Sequence, residues 1–108
     1  MPKKDIQFQI TLDNELIPEG IIWENSDDAK ARQVKSLFVS GWDEKENSSL
    51  TFNIWTKDMR VDEMHHLYVQ TLISLTDGFQ KATGNEFVHE DMRTFLQNFE
   101  KKIAASGL

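Results

Sequence analysis

The side chains with the widest chemical repertoire in this sequence are three histidines, His65, His66 and His89. Imidazole titrates near neutrality and ligates metals. His65 and His66 are adjacent in a segment of helical periodicity, so they point about 100° apart and cannot chelate one ion together. Asp62 or Glu63 has usable helical spacing to His66, with His89 as the available third ligand, but nothing matches the HExxH zinc pattern. A solvated, charged first helical turn accounts for these residues more simply. Serines and threonines are plentiful, without a GxSxG elbow or a glycine-rich phosphate loop. Of the five glycines, Gly20, Gly84 and Gly107 mark turns or the chain end, while Gly41 and Gly78 lie inside elements. Carboxylates paired for acid–base work need burial, whereas the acids here gather in polar loops and at helix starts. The absence of cysteine removes disulfides, thiolate metal sites and Cys nucleophiles. The expectation is a non-enzyme with no cofactor and no metal site.

The elements that would position any site read as strands first and helices after. Ile6, Phe8, Ile10 and Leu12 alternate with Gln7, Gln9 and Thr11, the period-two pattern of a half-buried strand. Asp13-Asn14-Glu15 and Pro18-Glu19-Gly20 supply turn chemistry. Ile21, Ile22 and Trp23 open a second strand, so residues 5–25 form a hairpin. The polar stretch SDDAKAR at 26–32 suits a loop or one helical turn. Residues 34–42 fit either a helical stripe or a strand. The hairpin-like loop at Asp43–Ser48 and the alternating Leu50, Phe52 and Ile54 beyond it favour the strand.

Two long helices follow. Met64, Tyr68, Thr71, Leu72, Leu75, Phe79 and Ala82 lie on one side of the first, which Gly84 stops. Val88, Met92, Phe95, Leu96, Phe99 and Ile103 line the second. Each helix starts with acids and ends with bases, as the helix dipole prefers.

The expected fold is therefore α+β: a single two-layer domain over residues 1–108, with a four-stranded antiparallel meander followed by two long helices. Its length suits one core, and seven Phe and three Trp can fill one. If Phe38, Leu50, Phe52 and Ile54 face the helices, Leu37, Val39 and Trp55 occupy the other sheet face. They are then candidates for a protein-interaction or self-association surface, against the common alternative of scattered surface apolar residues. On the first helix, Val69 and Ile73 lie opposite the main stripe. β-Branched residues have no propensity reason to sit on a solvent face, which makes this pair a second candidate contact.

A net charge of −6 opposes binding to nucleic acid or anionic membrane, which needs clustered Lys and Arg. The N-terminus MPKKDIQFQI has no apolar run of signal-peptide length, and no segment approaches membrane-spanning length. A cytoplasmic protein with no membrane insertion is expected.

An ordered set of segments covers nearly the whole chain: IPEGIIW at 17–23, WDEKE at 42–46, LTFNIWTKDM at 50–59, VDEM at 61–64, QTLISLTDGFQKATG at 70–84 and DMRTF at 91–95. Together they resemble the GldC family, small soluble gliding motility proteins of Bacteroidota. Arg60 departs from the family pattern, where a helix-initiating proline is expected. The resemblance implies an accessory component of surface gliding and brings no catalytic residues. Four antiparallel strands followed by two helices are also similar in layout to the export chaperone SecB. That analogy suggests a homo-oligomer that binds proteins of the gliding or secretion machinery. Adaptor and SecB-like holdase are the two functions to be weighed.

Overall fold

The computed structural model describes residues 1–107 and, within them, every side chain but that of Ala29. Strands β1 (Ile6–Leu12), β2 (Pro18–Asn25), β3 (Asp28–Val34), β4 (Ser36–Asp43) and β5 (Ser48–Trp55) precede helices α1 (Val61–Thr83) and α2 (Glu86–Ala105). All strand pairs are antiparallel, in one three-stranded sheet of order β1-β2-β3 and one two-stranded sheet of β4-β5. The α+β order read from the sequence holds, and residues 34–42 resolve as strand. The strand count is five rather than four, because the polar segment at 26–32 enters β3. Its residues lack strand propensity, but β2 offers them a ladder with Ile21 opposite Val34 and Trp23 opposite Arg32. The tight turn before β3 is held by the Asn25 side chain, which accepts from the Asp27 amide at 3.0 Å.

The chain divides into two units, Met1–Met59 and Arg60–Leu108. In the first, alternation gives the β1–β2–β3 sheet one apolar side. Phe8 lies opposite Trp23 with ring centroids 5.3 Å apart in a T-shaped contact, and Ile10 lies opposite Ile21. Ile21 is fully buried, and Leu37 of β4 is buried as well.

Backbone hydrogen bonds at the end of β5 tie the two small sheets together. Lys35, between β3 and β4, offers its carbonyl to the Thr56 amide at 2.8 Å, and the next residue, Lys57, donates its amide to the Pro18 carbonyl at 3.2 Å. The Thr56 side chain is buried. Its hydroxyl lies 2.5 Å from Asp58 Oδ1 and 3.2 Å from the Lys35 carbonyl. One proton serves one strong bond, and the short contact to the carboxylate takes it. The Lys57 ammonium then reaches Asp13 Oδ2 at 3.0 Å and Glu19 at 3.5 Å. Asp13 also organises the β1–β2 turn, its Oδ1 accepting from the amides of Glu15 at 2.8 Å and Ile17 at 3.0 Å.

In the second unit, Arg60 is the N-cap of α1 and adopts an extended conformation. A guanidinium cannot accept a hydrogen bond, so the cap works from the other side: Glu63 Oε1 accepts from the Arg60 amide at 3.0 Å, and the guanidinium donates to Asp62. The helix therefore starts without the proline. Gly84 ends it at φ 67°, a left-handed conformation that favours glycine, its amide donating to the Gln80 carbonyl at 2.8 Å. Asn85 then caps α2 by accepting from the Val88 amide at 3.1 Å. The two-residue link makes α1 and α2 an antiparallel helical hairpin.

The Asp13–Lys57 junction sets a pH dependence. The amide of Ile17, and then Lys57, hold the Asp13 carboxyl below its ordinary 3.8. Asp13 holds the Lys57 ammonium above its ordinary 10.5. A depressed carboxyl contributes stability that is present above its unfolded value and lost as pH falls through its folded one; a raised ammonium contributes below its unfolded value and loses it as pH rises through its folded one. Asp13→Asn is expected to lower Tm at neutral pH and to flatten the fall of Tm in acid below pH 3.8. Thermal melts of both proteins across acidic pH check this, and parallel acid profiles would refute it.

Candidate interaction surfaces

The β4–β5 register decides what the second sheet presents. Leu37 pairs with Ile54, Val39 with Phe52 and Gly41 with Leu50; the intervening pairs are Ser36–Trp55, Phe38–Asn53, Ser40–Thr51 and Trp42–Ser49. Alternation therefore puts Leu37, Val39, Leu50, Phe52 and Ile54 on one face, and Phe38, Trp42 and Trp55 on the other. The sequence-based grouping of Leu37 and Val39 with Trp55 does not survive this register. Leu37 is 5% exposed, so its side chain belongs to the core. Val39 is half-buried. Trp55 is 54% exposed on the opposite face, beside a shallow groove of about 300 Å³ lined by Ile17, Pro18, Asn53, Ile54 and Trp55. On the Trp55 face, Ser40 and Thr51 hydroxyls bond across the strands at 2.9 Å. Trp42 is also exposed on this face, while Leu50 and Phe52 are exposed on the other.

The helical pair of candidates separates too. Val69 precedes Leu72 and Thr76 at i, i+3 and i+7, on the line that contains the buried Thr76, and is itself half-buried. Ile73 is exposed. Within neither unit do the candidates form one surface. Trp55 and Ile73 are open, and Leu37, Val39 and Val69 are wholly or partly packed.

The larger groove of the first unit, about 420 Å³, runs along Glu19, Gly20, Ile21, Ile22, Gln33, Val34 and Lys35 to Thr11, Thr56 and Asp58. Its acids are held by the junction already described. The Thr56 hydroxyl lowers the Asp58 pKa, and Asp13 and Glu19 share Lys57. Asp58, held below the usual carboxylate range by the Thr56 hydroxyl, is a poor proton carrier at neutral pH.

Among the histidines, His89 is the one the fold buries. Its Nε2 lies 3.8 Å from Asp77 Oδ1 and its Nδ1 lies 3.8 Å from Glu86 Oε2. Both distances are beyond a hydrogen bond, and Nε2 has no hydrogen-bond partner. Glu86 is instead bonded to the Gln80 amide. Among the described residues no three His, Cys, Asp or Glu side chains are grouped to hold a metal ion, and no helix is long and apolar enough to cross a membrane.

Two substitutions test this division of core from surface. Leu37→Ala is expected to cost about 2–5 kcal/mol in denaturant unfolding, the range for an aliphatic core truncation, and Trp55→Ala clearly less. Equal costs would place Trp55 in the core. His89→Leu removes a buried nitrogen that lacks a partner, and such replacements are neutral or stabilising. Its Tm at neutral pH is expected to be unchanged or higher. A marked fall would show that the ring stabilises the helical pair through its packing or its contacts with Asp77 and Glu86.

Comparison with known proteins is informative at one level. No curated protein and no solved structure matches the chain. A family model described as "Gliding motility-associated protein GldC-like" matches residues 18–105, spanning β2 to the end of α2 and so both units. The chain belongs to the GldC-like family of gliding motility-associated proteins.

Proposed function

We propose that the protein is a non-enzymatic cytoplasmic accessory of gliding motility, working as a homo-oligomeric adaptor that binds a dedicated protein of the gliding or secretion machinery. Family membership supports the gliding context. The observation that carries the adaptor reading is Trp55, a large aromatic more than half exposed at the rim of a small groove formed with Ile17 and Pro18. Tryptophan gains most at an interface when its ring enters a desolvated pocket, and it is among the commonest residues at interface hot spots. Pro18 also pre-shapes the backbone on the other side of the groove, so little ordering is needed on binding.

The SecB-like holdase is the second reading. The exposed Trp42, Leu50 and Phe52 favour it, since a client-binding surface needs apolar area at several places. The register divides these side chains between the two faces of the hairpin, which suits discrete contacts better than one continuous client groove.

A quantitative pull-down from gliding cells separates the readings. The adaptor is expected to retain one stoichiometric partner. Trp55→Ala is expected to weaken that interaction at least tenfold, about 1.4 kcal/mol or more, with the fold intact by circular dichroism. A broad set of substoichiometric proteins, together with suppression of aggregation of unrelated unfolded proteins, would replace the adaptor with the holdase.

A further inference from the structure

Helix α2 carries two apolar stripes where a hairpin uses one. The inner stripe, His89, Met92, Leu96, Phe99 and Ile103, contains the buried His89 and Leu96. The outer stripe, rotated by about 100°, contains Val88 and Phe95. Phe95 is 58% exposed, and its ring stacks on Phe99 at 5.9 Å. Helix α1 repeats the arrangement. Beside the Leu72–Thr76 line, rotated in the same sense, stand Tyr68 and Leu75, the latter 60% exposed. Because the two helices run antiparallel, the same sense of rotation puts both outer stripes on one side of the hairpin. Tyr68, Leu75, Val88 and Phe95 therefore form a single apolar side of this unit.

We propose that this side is covered by a second copy of the chain, with α2 pairing antiparallel to its counterpart about a two-fold axis near residues 96 and 97. The proposal rests on the homo-oligomer in the reading above and specifies its interface. Charge selects this occupant. Asp91 and Lys102 lie on the outer edge of α2 at opposite ends of the Phe95 region, and a two-fold axis between them brings Asp91 of each copy to Lys102 of the other. The strip is then neutral, although the whole chain carries −6 and two copies repel at long range. Antiparallel pairing also sets the positive N-terminal end of each helix beside the negative C-terminal end of the other. A self-complementary patch of this kind closes as a dimer and leaves no open end for further addition.

The absence of cysteine permits a direct test of register. Residues 91 and 102 are about 16 Å apart along one helix, too far for a disulfide within a chain. Under mild oxidation, Asp91→Cys/Lys102→Cys is expected to form a covalent dimer efficiently, and neither single variant is. In sedimentation velocity at micromolar concentration, the wild type is expected to be dimeric or a multiple of the dimer. Phe95→Glu is expected to weaken its self-association at least a hundredfold while keeping helical content. If Phe95→Glu unfolds, the cross-linking arm decides alone. A monomeric wild type, an oligomer indifferent to Phe95→Glu, or a double variant that cross-links no better than the singles would overturn the proposal. An oligomer indifferent to Phe95→Glu leaves the adaptor standing, whereas an intact dimer that retains no dedicated partner removes the adaptor and leaves this interface.

Discussion

The sheet unit depends on the junction around Thr56 and Lys57. A two-stranded ribbon is marginal in water by itself, and a three-stranded sheet needs its apolar side covered. Consecutive amides of Thr56 and Lys57 donate to Lys35 and Pro18, so the end of β5 is bonded to the start of β4 and to the start of β2. That attachment lets Ile21 of one sheet and Leu37 of the other be buried as parts of one unit. The Lys57 ammonium extends the same junction to Asp13 and hence to the β1–β2 turn. Exposed ion pairs are weak individually. Here the ion pair follows backbone hydrogen bonds that have already fixed the geometry, so it adds to a constraint rather than creating one.

The helical unit is built on different terms. Its caps are sound: Glu63 on the Arg60 amide, Gly84 in the left-handed conformation, and Asn85 on the Val88 amide. Its interior is thin: among the described residues the buried ones are the hydrophobic Leu96 and the polar Thr76 and His89. Thr76 satisfies its hydroxyl on the Leu72 carbonyl at 2.7 Å, and His89 leaves Nε2 unsatisfied. A hairpin that places polar groups inside and Phe95 and Leu75 outside gains little from folding by itself, because burial of large apolar side chains is the main favourable term. The physical pressure on this unit is toward covering its apolar side.

Several large side chains of the sheet unit are left uncovered, Trp55 among them. Trp55 gained that position through a one-residue alternation: Ile54 faces the side with Leu37, and its neighbour faces away. The carboxylates of Asp13 and Asp62 are engaged in the β1–β2 turn, the start of α1 and the Lys57 junction. Acidic residues are placed where they organise backbone, and Trp55 stands exposed on the face away from Leu37.

By itself the sequence determined the class of the fold, both ends of α1, the existence of α2 and the family, and it favoured a strand at residues 34–42 without deciding it. These are properties of short stretches: period-two or helical patterning, a glycine past the last helical turn, and an ordered set of segments. It did not reveal β3, whose polar residues become strand only because β2 presents a ladder to them. Nor did it reveal that Leu37 is inside while Trp55 is outside, that Val69 lies on the packed line of α1, or which of the two stripes of α2 faces the hairpin. Periodicity tells which residues share a face. Only the register of strand against strand, and the rotation of helix against helix, decides which face meets a neighbour. Those choices are made by contacts between residues far apart in the chain, so the tertiary structure decided them.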